Sequence, residues 1–170
     1  ARCYIAVSGG LKVKSIFGSK AFFSNITDSY FLKKNDEIKV SKKSKNKILK
    51  WDRFNFKLNR SIEVFKGPEF DLLSSNSKNK LFKNEFTIST NNRMAYNLVE
   101  KLQVGTKSII SSPVLPGSVQ LTPSGKMIIL HRDCQTTGGY PRILQLNISS
   151  LNYLSQLKST DKIKLRLINL

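Results

Sequence analysis

Pro116-Gly117-Ser118-Val119-Gln120-Leu121-Thr122-Pro123-Ser124-Gly125-Lys126-Met127-Ile128-Ile129-Leu130-His131-Arg132-Asp133-Cys134-Gln135-Thr136-Thr137-Gly138-Gly139-Tyr140-Pro141 is the stretch on which the reading of this chain turns. Met127–Leu130 is an apolar run of strand length, as expected of a strand buried on both faces. It delivers a polar cluster, and a Gly-Gly pair follows at once. Glycine permits positive φ and close approach by a ligand. Successive backbone N–H groups in such a turn can form an anion-binding nest. Asp133, at the strand's end, is placed to act as acid, base or polarising group, and Gln135, Thr136 and Thr137 supply donors and acceptors. The same residues also suit a structural turn in which Asp133 and the threonine hydroxyls satisfy local backbone groups.

Outward from this stretch, strand signals dominate. Val, Ile, Phe and Tyr recur in short runs separated by Gly, Pro, Asn and Ser. The runs predict strands at Cys3–Val7, Ile38–Val40, Ser61–Phe65, Glu85–Ser89, Lys107–Ile110, Met127–His131, Ile143–Ile148 and Lys162–Ile168. The last alternates, with Ile163, Leu165 and Leu167 on one face and Lys162, Lys164 and Arg166 on the other, which is a half-buried strand. Helical signals are few. Ser149 or Ser150 can cap a short helix with Leu151, Leu154 and Leu157 on one face. A second short helix is expected after Pro68, with Phe70, Leu73 and Leu81–Phe82 inward. No internal repeat is present. The expected fold class is mainly β with one or two small helices.

The chain has 170 residues, 39% hydrophobic and 24% charged, with 9 Gly and 5 Pro. That composition builds a real core and excludes collagen-like or wholly disordered chains. The 29 Lys+Arg against 11 Asp+Glu give a formal charge of +18, which alone points to polyanionic partners. The charge is concentrated between Lys33 and Arg60, where Ser41-Lys42-Lys43-Ser44-Lys45-Asn46-Lys47 reads as a solvated loop. Trp51, Phe54 and Phe56 sit among these bases, but their spacing equally suits the buried face of a strand. No nucleic-acid-binding signature is present, so the excess reads as Lys-rich surface rather than a nucleic-acid interface. No apolar run reaches membrane-spanning length, and a cytoplasmic protein is expected. One His and two Cys are too few soft ligands for a zinc site. Cys3 and Cys134 read as unrelated reduced thiols, with a single disulfide as the alternative. The sequence opens on Ala1 and enters directly into a strand-like run, as the later part of a longer or processed protein would.

The quoted stretch resembles the C-terminal signature of the biotin-dependent carboxyltransferase-like family, also called allophanate hydrolase subunit 2. That family reads approximately G-x-[IV]-Q-x-x-P-x-G-x-P-I-x-L-x-x-D-x-Q-T-T-G-G-Y-P. The chain matches at Gly117, Val119, Gln120, Pro123, Gly125, Ile128, Leu130, Asp133, Gln135 and Thr136 through Pro141. Further blocks agree in order: Tyr4–Gly10 with Gly18-Ser19-Lys20, Ile62–Pro68 ending in Gly67-Pro68, and Asn92-Arg93-Met94-Ala95-Tyr96-Asn97-Leu98. The departures are Asn92 for Asp, Ala95 for Gly, Asn97 for Arg and Met127 for Pro, with bulkier His131, Arg132 and Cys134.

The resemblance implies two β-rich units: the end of a first unit over residues 1–60 and a cyclophilin-like β-barrel over residues 61–170. Members include the C subunit of 5-oxoprolinase, the KipA protein and a carboxyltransferase portion of urea carboxylase. The leading expectation is one component of an ATP-dependent 5-oxoprolinase that turns 5-oxoproline into glutamate. Its expected partners are a KipI-like B subunit together with the A subunit of the same enzyme. ATP would act in the assembled complex. A second expectation is a carboxyltransferase acting on a small amide, with biotin carried by another domain. A third is a non-enzymatic, KipA-like antagonist of a kinase inhibitor. By resemblance, Asp133 is the catalytic or orienting carboxylate. Gln120, Gln135, Thr136, Thr137, Gly138, Gly139 and Tyr140 position substrate, with Arg93 and Tyr96 behind or beside them. Arg93 could instead pair with Glu100 on the surface, and Tyr140 could be a barrel-core residue. No metal site is implied.

Overall fold

The computed structural model describes residues 4–23, 25–27, 31–42, 61–103 and 108–169. The basic stretch 43–60, with Trp51, Phe54 and Phe56, lies outside the described residues, as do Cys3 and Lys107. The chain falls into two compact units, one within Cys3–Arg53 and one within Phe54–Leu170.

The larger unit is a closed barrel. Its strands are β1 (Ser61–Lys66), β2 (Glu85–Asn91), β3 (Ala95–Lys101), β5 (Ser118–Leu121), β6 (Lys126–Leu130), β8 (Arg142–Leu146) and β9 (Lys162–Leu167). They run in the order β1-β8-β5-β6-β3-β2-β9. Every pairing is antiparallel except β1 with β9, which is parallel, sets Ile62 against Leu165 and closes the sheet. Closure leaves no hydrogen-bonding edge in the main sheet. Ile62, Val64, Phe86, Ile88, Tyr96, Val119, Met127, Ile129 and Ile163 are all essentially inaccessible and pack as one core. Alternation explains most of this, as in β9, where Ile163 and Leu165 are buried between exposed Lys162, Lys164 and Arg166.

Two short strands, β4 (Ser112–Pro113) and β7 (Thr137–Gly138), form a separate antiparallel ladder, with Ser112 opposite Gly138 and Pro113 opposite Thr137. Helix α1 (Ser75–Lys83) starts where the Ser74 hydroxyl accepts from the Ser77 N–H, and buries Leu81. It follows a single 3₁₀ turn at Phe70–Leu72. Helix α2 (Ile148–Leu154) buries Leu151 and Leu154, and Leu157 is buried just past its end, so the predicted apolar face is real. Its cap is Asn147, whose Oδ1 accepts from Ser150 N–H at 2.7 Å, rather than Ser149 or Ser150. Ile148 consequently belongs to the helix and not to the preceding strand.

Residues 4–7 form no strand, and neither do 108–110; the β4 ladder begins at Ser112 instead. In the smaller unit, regular pairing among the described residues is limited to bridges between Leu11 and Val40 and between Ile16 and Ser19. No described residue there is fully buried.

Candidate functional site

The β3–β6 ladder outlasts β6. His131 N–H donates to Met94 C=O at 2.8 Å and Asp133 N–H to Arg93 C=O at 2.9 Å. This extension places the Asp133 carboxylate beside the Arg93 guanidinium. Arg93 Nη2 donates to Oδ1 at 3.0 Å, and Nε lies 2.6 Å from Oδ2. The fork fixes the plane of the carboxylate. Both side chains stay open to solvent, at 60% and 44% relative exposure, so a ligand can reach them. The carboxylate that Arg93 forks onto is therefore that of Asp133. Glu100, the surface partner that sequence proximity suggests, instead accepts from Thr87 N–H at 2.6 Å and from Thr87 Oγ1 at 2.8 Å.

The turn that aims Arg93 is built by Asn92. Its Oδ1 accepts from the N–H groups of Met94 at 2.8 Å and Ala95 at 2.9 Å. An amide oxygen does this as well as a carboxylate, so the replacement of Asp by Asn keeps the turn. Asn97 donates to Thr90 Oγ1 at 2.9 Å across the hairpin. Beneath the turn, Tyr96 is fully buried, with its ring 5.4 Å from that of buried His131. Tyr96 is thus a support under the rim rather than a surface contact.

The second part of the site is an amide cluster. Gln120 is buried on β5, where the β5–β8 register shifts between Val119 and Gln120. Its Nε2 donates to Tyr140 C=O and its Oε1 accepts from Gln135 Nε2, both at a long 3.4 Å. Gln135, two residues beyond Asp133, thereby ties the carboxylate segment to the Gln120 amide. A Cβ on Gly138 would lie 2.5 Å from Gln120 Nε2, so any larger residue would push the end of the Gln120 side chain aside. Gln135, Thr136, Thr137 and Tyr140 are exposed, Tyr140 at 38%, which removes it from the barrel core.

The Gly-Gly pair differs from expectation. Positive φ occurs at Gly117 and Gly125, and at neither Gly138 nor Gly139. Gly138 is a strand residue of β7, and Gly139 C=O accepts from Ile109 N–H at 2.9 Å. Gly138 lies in the ladder and gives room to Gln120, Gly139 is a bend just past it, and with positive φ at neither the pair is not an anion-binding nest.

An ion pair the sequence does not reveal lies nearby in the fold. Arg142 Nε donates to Glu69 Oε2 at 2.9 Å and Nη2 to Oε1 at 2.6 Å, while its backbone N–H donates to Oε2 at 2.8 Å. Both side chains are largely covered, at 18% and 17% exposure. The hydrogen bond from Arg142 holds the Glu69 carboxyl below its ordinary value of 4.5, against the opposing pull of burial. The one available signal was Gly67-Pro68 in the matched block; nothing in the sequence joins residues 69 and 142.

Chemically, the site offers an oriented, accessible carboxylate, a guanidinium, and amide and hydroxyl groups. It offers no activated thiol: burial, with a smaller push from Asp133, raises the pKa of the free Cys134 thiol. Among the described residues no group of three or more His, Cys, Asp or Glu could hold a metal, and no helix is long and apolar enough to cross a membrane.

The chain is 28% identical over 163 residues to the C subunit of 5-oxoprolinase from Escherichia coli strain K12, covering 92% of this chain and 53% of that protein. It is 33% identical over 112 residues to the corresponding 5-oxoprolinase protein of Haemophilus influenzae, covering 64% and 36%. It thus spans about half or less of the length of these curated relatives. Its fold matches the crystal structure of Kluyveromyces lactis urea carboxylase with a TM-score of 0.62 at 18% identity, over 68% of this chain and 12% of that one. Residues 1–167 match the family described as carboxyltransferase domain, subdomain A and B, and with the barrel and the Asp133–Pro141 segment in place, the chain belongs to that family.

Proposed function

We propose that this chain supplies part of the substrate site of an ATP-dependent 5-oxoprolinase, in the role of its C subunit, working with a KipI-like B subunit plus the A subunit. The observation that carries the reading is the solvent-facing Arg93–Asp133 fork at the head of the intact Asp133–Pro141 run, in a chain whose relatives bear the name of the C subunit of 5-oxoprolinase. 5-Oxoproline is a small cyclic amide, and its ring opening adds water across the amide C–N bond while ATP goes to ADP and phosphate. Asp133, held in plane by Arg93, accepts from the substrate N–H. Gln135, Thr136 and Thr137 present donors to oxygens on which negative charge gathers. Gln120 and Tyr140 shape the floor, and ATP is consumed in the assembled complex.

The test is co-production of the protein with its two partner proteins, the A and B components of the enzyme. The expected result is formation of ADP and glutamate that depends on 5-oxoproline and on all three proteins. Absence of 5-oxoproline-dependent ADP in a purified three-part complex would refute the reading.

A second reading draws support from the family description and the urea carboxylase neighbour. In it the same site transfers a carboxyl group from biotin, brought by another domain, to a small amide. Carboxylation of an amide that requires a biotinylated partner, with no ADP from 5-oxoproline, would favour it.

A further inference from the structure

We propose that Glu69 is a positioning residue: acting through Arg142 and the Pro113 carbonyl, it sets the placement of the β4–β7 ladder that carries Thr137 and Gly138. As a statement about substrate binding, this rests on the 5-oxoprolinase reading above; as a statement about placement, it does not.

The ladder cannot hold itself. It has two residues per strand, and one of its four residues is Pro113, which has no N–H to give. A two-stranded piece of that size is unstable alone, so its position must come from ties to the barrel. Arg142, the first residue of β8, supplies one. While its Nε and Nη2 are spent on Glu69, its Nη1 donates to Pro113 C=O at 2.8 Å. A guanidinium is rigid and planar, so fixing one edge on a carboxylate fixes where the other edge points. Adjacent bonds extend the tie: Leu121 N–H to Pro141 C=O at 3.0 Å and Val114 N–H to Thr136 C=O at 2.9 Å.

Glu69 is itself seated by backbone. Gly67 N–H donates to Ile143 C=O at 2.9 Å, and Glu69 N–H donates to Arg142 C=O at 3.2 Å. A Cβ on Gly67 would sit 2.1 Å from Arg142 O, so this seat requires glycine. The Gly67-Pro68 block, which the substrate site leaves unused, thus acquires a task. It presses Glu69 onto the start of β8, from where the pull passes to the ladder.

The test is amide hydrogen exchange on the full chain, with Glu69→Gln and Arg142→Lys compared with the parent. Glu69→Gln keeps the shape and removes the charge. Arg142→Lys keeps a charge for Glu69 but cannot also reach Pro113. Both variants are expected to speed exchange at Ile109, Val114 and residues 137–139 by roughly tenfold, while β2, β3 and β6 stay within about twofold. In the assembled complex both should raise the KM for 5-oxoproline more than they lower kcat. Unchanged exchange in the ladder overturns the proposal. So does a parallel rise across the whole barrel, because the pair would then support general stability only. If the parent complex does not consume 5-oxoproline, the functional reading fails, and the exchange result still decides the placement claim.

Discussion

Two arginine–carboxylate forks of the same chemistry occupy opposite regimes in this barrel. Arg93–Asp133 sits on an open turn and is half exposed, whereas Glu69–Arg142 is mostly covered and bound to backbone on both sides. Exposed pairs contribute little to stability because water competes for both partners. A covered pair resists disruption because removing one partner strands the other without water. The contrast is the ground for proposing ligand contact for the first fork and, for the second, the holding of the segment beside it.

The comparison can be strained from the covered side first. Gly67→Ala drives a Cβ into the backbone of Arg142 and Ile143, with contacts of 2.1 and 2.8 Å that no side-chain motion relieves. A loss on the order of 3 kcal/mol or more in urea unfolding is expected, with the Glu69 seat displaced. Gly138→Ala meets only the flexible end of Gln120, so a smaller loss of about 1 kcal/mol is expected. Adding Gln120→Ala should recover part of it, which a double-mutant cycle would read.

Acid should reach the covered fork through Glu69. Because the Arg142 hydrogen bond lowers the Glu69 carboxyl in the folded chain, its contribution is fully present above the ordinary 4.5 and disappears as pH falls through the lower folded value. Ladder exchange should therefore rise as pH falls below 4.5, after correction for intrinsic rates, and the Glu69→Gln variant should lack this dependence. The smallest stability effect belongs to the open fork. Arg93→Gln should change unfolding free energy by less than about 0.5 kcal/mol while weakening activity of the complex.

Sequence reading recovers the parts governed by local pattern. The alternation of Ile163, Leu165 and Leu167 and the apolar run at Met127–Leu130 appear as β9 and β6. The Leu151–Leu154 stripe appears as the buried face of α2. The missed parts depend on long-range pairing. Ala95–Lys101 carries Asn97, Glu100 and Lys101 and gave no strand signal, yet β2 and β6 on either side make it one. Ser118–Leu121 alternates Ser-Val-Gln-Leu over only four residues, and the burial of all four, the polar Ser118 and Gln120 included, comes from the neighbouring strands β6 and β8. At the site, Asp133 and its run were legible from the motif. The strand pairing of Gly138 was not, because it is made with Ser112 across the ladder, and the partner of Arg93 is set by the β3–β6 register.

On the proposed function, the Asp133 carboxylate faces substrate and does not hold the fold. The most direct test is Asp133→Asn in the assembled three-part complex, read by 5-oxoproline-dependent ADP and glutamate beside a thermal melt of the isolated protein. The expected result is a loss of turnover of about tenfold or more with the melting temperature unchanged. Undiminished turnover at an unchanged melting temperature would contradict it.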